Sequence, residues 1–132
     1  MLQNENRLRK VRDFSLALKY GSWQRGRFLD LKYVQLAKVK DYFPKKEDPK
    51  EFEKQLKLAI VAGLKVSKKA VLRNRAKRQV REVVRILIKD KKLKDGFYIM
   101  LIAKKEIIGK NFADIKQETE LLIKRSGLFR QS

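Results

Sequence analysis

Nine basic side chains stand between residues 65 and 85: Lys65, Lys68, Lys69, Arg73, Arg75, Lys77, Arg78, Arg81 and Arg85, with Glu82 the only acid among them. Guanidinium forks match phosphate oxygens in pairs, and lysine ammoniums bind them as point charges, so these residue types offer capture of a phosphate backbone. Like charges four apart on a helix repel, and Arg73, Lys77, Arg81 and Arg85 follow that spacing. Phosphates would remove the repulsion. A run of charge is ordinarily a solvated face, but that reading must here explain one sign gathered beside a second basic surface on the preceding strand.

The whole chain leans the same way. Its 132 residues carry 35 Lys and Arg against 15 Asp and Glu, a formal charge of +20. Self-repulsion of that size destabilises a compact state, so a polyanion partner is the natural inference. With no Cys there is no disulfide, thiolate nucleophile or Cys-ligated zinc, and with no His the usual general base near neutral pH is missing. Carboxylates are scattered among lysines without a motif spacing. We therefore expect no catalytic residue and no protein-held metal.

The elements that must position the basic run can be read from periodicity. Residues 1–12 read as a basic tail. Asp13 can cap a short helix through Phe14 and Leu18, ended by Gly21. From Phe28 to Ala37 the pattern alternates, with Leu29, Leu31 and Tyr33 on one face and Asp30, Lys32 and Val34 on the other. A polar connector with Pro44 and Pro49 follows, and residues 38–55 read as an insertion between strands. Leu56, Leu58, Ile60, Ala62, Leu64 and Val66 then alternate strictly toward a core. Lys57, Ala59, Val61, Gly63, Lys65 and Ser67 project oppositely, as a small basic face that is either solvated or built to receive a ligand.

A helix is predicted from about Leu72 to Lys89. Val80, Val83, Val84, Leu87 and Ile88 form its apolar stripe, and Asn74, Arg78, Arg81 and Arg85 cluster opposite, with Arg75 close by. Arg73 would project toward the stripe. Phe97–Ala103 (FYIMLIA) is apolar on both faces and suits a buried central strand. Asn111 can cap a last helix whose inner stripe is Phe112, Ile115, Leu122 and Ile123, ended by Gly127. The 43% apolar content supports a core, and we expect one α+β domain over 1–132, a sandwich of helices against one small mixed sheet. No apolar run is long enough to span a membrane, and the opening residues lack a signal-peptide core, so a cytoplasmic protein is expected.

At the basic helix the sequence becomes specific. Leu64–Glu82, LKVSKKAVLRNRAKRQVRE, resembles the signature of the bacterial ribonuclease P protein component: a strand ending in S-K-K, a short connection, then A-V-x-R-N-R-x-K-R. Arg7–Phe14 resembles that family's opening helix, Gly96–Lys105 its buried strand and Glu120–Gly127 its last helix. Three departures stand out. The connection between Lys69 and Ala70 is shorter than the family's, the second aromatic of the opening helix is Leu18 here, and the family's strand tyrosine aligns with Lys32 or, after a shift of one, with Tyr33.

The resemblance implies the fold of the second domain of ribosomal protein S5: a two-layer sandwich ordered helix, three strands, helix, strand, helix, with a left-handed βαβ crossover. It implies a noncatalytic subunit, one per RNA, joined to a catalytic RNA that uses Mg2+ to remove the 5′ leader of precursor tRNA. Lys68, Lys69, Arg73, Asn74, Arg75, Lys77, Arg78, Arg81 and Arg85 would meet the catalytic RNA. Phe14, Leu18, Lys32, Tyr33, Lys57, Lys65 and Ser67 would line a cleft for the leader. Two other readings stay open: a non-enzymatic RNA-binding module such as a ribosomal or assembly protein, and a membrane-surface protein, whose apolar stripe would however be needed by the core.

Overall fold

The computed structural model describes residues 2–39 and 54–130. In chain order its elements are α1 (Val11–Tyr20), β1 (Ser22–Arg25), β2 (Leu29–Gln35), a one-turn α2 (Leu36–Val39), β3 (Leu56–Val61), α3 (Ala70–Lys89), β4 (Phe97–Ala103) and α4 (Phe112–Arg125). The strands form one sheet in the order β1-β2-β4-β3. β2 is antiparallel to β1 and β4, whereas β3 runs parallel to β4 and reaches it through α3. Most of the insertion predicted at 38–55 lies outside the described residues.

The FYIMLIA run becomes β4, a central strand, because both of its faces meet apolar partners. Ile99 and Leu101 pack with Leu29, Leu31 and Leu58 against Val80, Val83, Val84 and Leu87 of α3 and Ile115, Leu122 and Ile123 of α4. Tyr98 and Met100 face the other way, where Leu16 and Ala17 of α1 cover them together with Leu8, Val34 and Ala59. The sandwich of sheet against α3 and α4 thus carries α1 across its opposite face.

Several boundaries differ from expectation. β3 stops at Val61, where its register with β4 runs out at Ile102; the chain then turns, with Val66 N–H donating to Gly63 O at 3.0 Å. Leu64, expected in the core, is consequently 72% exposed. β2 ends at Gln35, two residues early, in the turn of α2. β1 was not readable from the residues, since Ser22–Arg25 has no alternation; it exists because it pairs with β2 from Ser22↔Tyr33 to Arg25↔Asp30. Phe112 stands at the first position of α4 and is 39% exposed instead of joining the inner stripe. Glu118 is buried there, its two carboxylate oxygens accepting from the backbone N–H groups of Arg27 and Phe28, each at 2.9 Å.

The helix ends follow local chemistry only in part. Asn111 Oδ1 accepts from Asp114 N–H at 2.8 Å, the expected cap. Asp13 does not cap α1; the helix begins at Val11, and Asp13 is buried within its first turn, paired with Arg12 at 3.3 Å. Gly21 closes α1 for want of space, because a Cβ there would lie 2.3 Å from Ala17 O and 2.9 Å from Lys32 Cγ. Residues 2–8 are no loose tail. Leu8 N–H donates to Leu58 O at 2.9 Å and Asn6 Nδ2 to Leu56 O at 2.8 Å, laying the segment along the edge of β3 with Leu2 and Leu8 buried.

Candidate nucleic-acid interface

The basic run divides once its partners are known. Arg73 projects from the first turn of α3 back over the preceding loop, where Nη1 donates to the carbonyls of Ser67 at 2.8 Å and Lys68 at 3.1 Å. Ser67 Oγ accepts from Lys69 N–H at 3.1 Å. These bonds fix how the short loop enters the helix, so Arg73 and Ser67 first of all position their neighbours. At the other end, Arg85 donates twice to Glu82, Nε to Oε2 at 2.9 Å and Nη2 to Oε1 at 2.6 Å. These bonds from Arg85 hold the Glu82 carboxyl below its usual range, and the Arg85 guanidinium is raised in turn. Arg85, expected among the RNA-binding residues, thus has an acidic partner one turn away.

Between these ends, Arg75 and Arg78 are exposed and Lys77 and Arg81 half-exposed along α3, while Lys65, Lys68 and Lys69 stand exposed on the loop before it. Among the described residues none of the seven has an acidic partner. Asn74 is exposed among them. Cations in the first turns of a helix also oppose its macrodipole, a cost that a bound anion relieves.

A second surface lies on the sheet face that carries α1. Strand register places Lys57 opposite Tyr98 and Lys32 opposite Met100, so Lys57, Ala59, Val61, Lys32 and Val34 share it. Phe14 packs half-buried at its margin and Leu18 on α1 is 51% exposed. Lys32 is buried, however: its ammonium donates to Leu18 O at the end of α1 and lies 4.7 Å from the Trp23 ring centroid, so it anchors the helix. Tyr33 points to the opposite face, tilted against Phe97 with centroids 6.3 Å apart, and packs against the α3/α4 core. The register question left open by the sequence is thereby answered, and Tyr33 leaves the cleft. Lys65 and Ser67 also leave the sheet, since β3 has ended before them.

Sequence reasoning passed over the β1 end of this face. Trp23, the cross-strand partner of Lys32, has Arg25 Cζ 4.0 Å from its ring centroid. Asp30 accepts from Arg25 Nη1 at 3.0 Å and from Gly26 N–H at 3.1 Å, and pairs with Lys104 Nζ at 3.0 Å. Burial pushes the Asp30 carboxyl up, but the bonds from Lys104, Gly26 and Arg25 outweigh it and the pKa is lowered. The only sequence signal was a lone Trp in a segment without alternation.

Elsewhere, a groove of about 610 Å³ between the β1–β2 turn and α4 mixes Arg25, Arg27, Lys110 and Arg125 with Glu106, Asp114 and Glu118. Among the described residues there is no cluster of three carboxylates suited to a metal ion, and no helix is long and apolar enough to cross a membrane.

Fold and surface together define a class: a small α+β sandwich with exposed cations along one helix and the loop before it, and a second, partly basic sheet face under α1. The chain belongs to the ribonuclease P protein family, whose model, described as Ribonuclease P, matches residues 2–127. It is 37% identical over 101 residues to the ribonuclease P protein component of a Pseudanabaena species, covering 76% of this chain and 73% of that one. With the component of a Synechococcus species it is 29% identical over 128 residues, covering 97% and 86%. The match to the component of Symbiobacterium thermophilum, 39% identical over 75 residues, covers 57% of this chain and spans 63% of the relative's length.

Solved structures agree on the fold. The RNase P protein from Staphylococcus aureus superposes with a TM-score of 0.72 at 22% identity, covering 100% of this chain and 97% of that one. The RNase P protein from Thermotoga maritima gives 0.66 at 27% identity, covering 91% and 96%. The α+β sandwich expected from the sequence is the fold found.

Proposed function

We propose that this protein is the noncatalytic subunit of a ribonuclease P ribonucleoprotein, one copy per RNA, that supports removal of the 5′ leader from precursor tRNA in the cytoplasm. The observation that carries the reading is the seven-residue cationic surface from Lys65 to Arg81, without acidic partners among the described residues, apart from the sheet face that carries α1. Arg75, Lys77, Arg78 and Arg81, with Lys68 and Lys69, neutralise phosphates of the catalytic RNA; each contact releases condensed counterions, which makes association steeply salt-dependent. Phe14, Leu18 and Lys57 face the single-stranded leader, where an aromatic ring can stack a base and a cation can follow its backbone.

Hydrolysis of the phosphodiester belongs to the RNA on this reading. Mg2+ would be held by the RNA and would supply the activated water. The protein contributes orientation and charge neutralisation, lowering the magnesium needed to bring two polyanions together. The test is reconstitution. Protein freed of RNA should not cut precursor tRNA, and adding ribonuclease P RNA should give cleavage at low magnesium. Cleavage by the protein alone would overturn the assignment of chemistry to the RNA, and copurification with ribosomal RNA alone would favour a ribosomal or assembly role.

A further inference from the structure

We infer that Trp23, stacked with Arg25, is a nucleobase-stacking subsite at the β1 end of the sheet face that carries α1, taking a base of single-stranded RNA beyond Phe14. The inference rests on the reading of this face as the leader site. Trp23 pairs across the strands with Lys32, and the Lys32 side chain reaches the carbonyl of Leu18, so the indole shares that face and lies at the end of α1. It is the only tryptophan in the chain, and on an edge strand it remains 38% exposed. Tyr20, at the last position of α1, is exposed as well, with Lys19 Nζ 5.4 Å from its ring centroid.

The arrangement is built rather than incidental. Arg25 lies over the indole with its side chain 62% exposed, and its guanidinium is held by Asp30, itself buried and fixed by Gly26 N–H and Lys104. Guarding an edge strand against aggregation needs only a charged side chain, not an indole under an oriented guanidinium. Aromatic rings and guanidinium planes are the two side-chain surfaces on which unstacked bases lie. Because every base has a π-face, the subsite takes any nucleotide and selects for single-strandedness rather than sequence. Arg25 adds charge where the backbone passes.

The test uses the full chain reconstituted with ribonuclease P RNA and precursor tRNAs whose leaders lengthen one nucleotide at a time. Tryptophan emission should be quenched only above a threshold leader length. Trp23→Ala should lose roughly fivefold or more in affinity, confined to those longer leaders, while Trp23→Phe keeps most of it. Phe14→Ala should weaken short and long leaders alike. Unchanged affinity of Trp23→Ala at every length overturns the inference, as does equal quenching by tRNA without a leader. Should wild-type affinity prove indifferent to leaders, the leader-site reading has failed by itself. Free oligouridine then decides the subsite: saturable quenching keeps it and none removes it.

Discussion

Glu82 and Arg85, one helical turn apart on α3, are joined by two hydrogen bonds of 2.9 and 2.6 Å, which withdraw the last arginine of the basic run from the surface that the others share. The pair marks where the cationic ridge stops. Glu82→Gln keeps the shape but removes the charge that holds Arg85. We expect RNA association to gain roughly 0.7–0.9 in the magnitude of its log–log salt slope, the value of one added phosphate contact. Filter binding across a salt series measures it, and an unchanged slope would mean that Arg85 lies outside the RNA footprint.

The middle of the ridge should behave oppositely. Arg75→Ala with Arg78→Ala removes two unpaired cations, and the salt slope should fall in magnitude by about 1.5. Arg73 is a different case, because its guanidinium holds two carbonyls of the loop before α3. Arg73→Ala should raise amide exchange at residues 67–69 even without RNA, and lysine should restore little, since a single ammonium lacks the fork. A salt slope lowered in magnitude by roughly 0.7–0.9, with no change in exchange, would show Arg73 to be one more phosphate ligand.

Lys32 is only 7% exposed, with its ammonium on the carbonyl of Leu18. Lys32→Met keeps the apolar stem but loses that bond, leaving the end of α1 without its cation. We expect a loss of about 1–2 kcal/mol in urea unfolding at unchanged m-value. Stability equal to wild type would show that the anchor is dispensable.

The buried Asp30 predicts an acid limb. Its folded pKa lies below the ordinary carboxylate value, so its contribution to stability is complete above about pH 4 and shrinks as pH falls through the lowered folded value. Asp30→Asn removes this titration while leaving Arg25 and Lys104 without their counter-charge. Its urea midpoint should be lower at pH 6 and should change less between pH 6 and pH 2 than the wild-type midpoint. Parallel curves for the two proteins would exclude the linkage.

What the sequence determined by itself was whatever depends on near neighbours along the chain. The basic ridge follows from the 3.6-residue period acting on Arg75, Arg78 and Arg81, and the core stripe Val80–Leu87 from the same wheel. The apolar run Phe97–Ala103 announced a strand covered on both faces, and the S-K-K to R-N-R segment pointed to the family. Tertiary structure decided what depends on partners far away in the chain. A one-residue register sets opposite faces for Lys32 and Tyr33, and only hydrogen bonding of β2 to β1 and β4 selects it. Leu64 lost its place in the core because the chain leaves β4 after Val61 and turns, with Val66 N–H bonded to Gly63 O. Trp23 met Arg25 and Lys32 because a strand without periodicity of its own was made by its neighbour. Periodicity is a property of one segment, whereas burial and ion pairing belong to two, so the cationic ridge was legible in advance and the detailed lining of the α1 face was not.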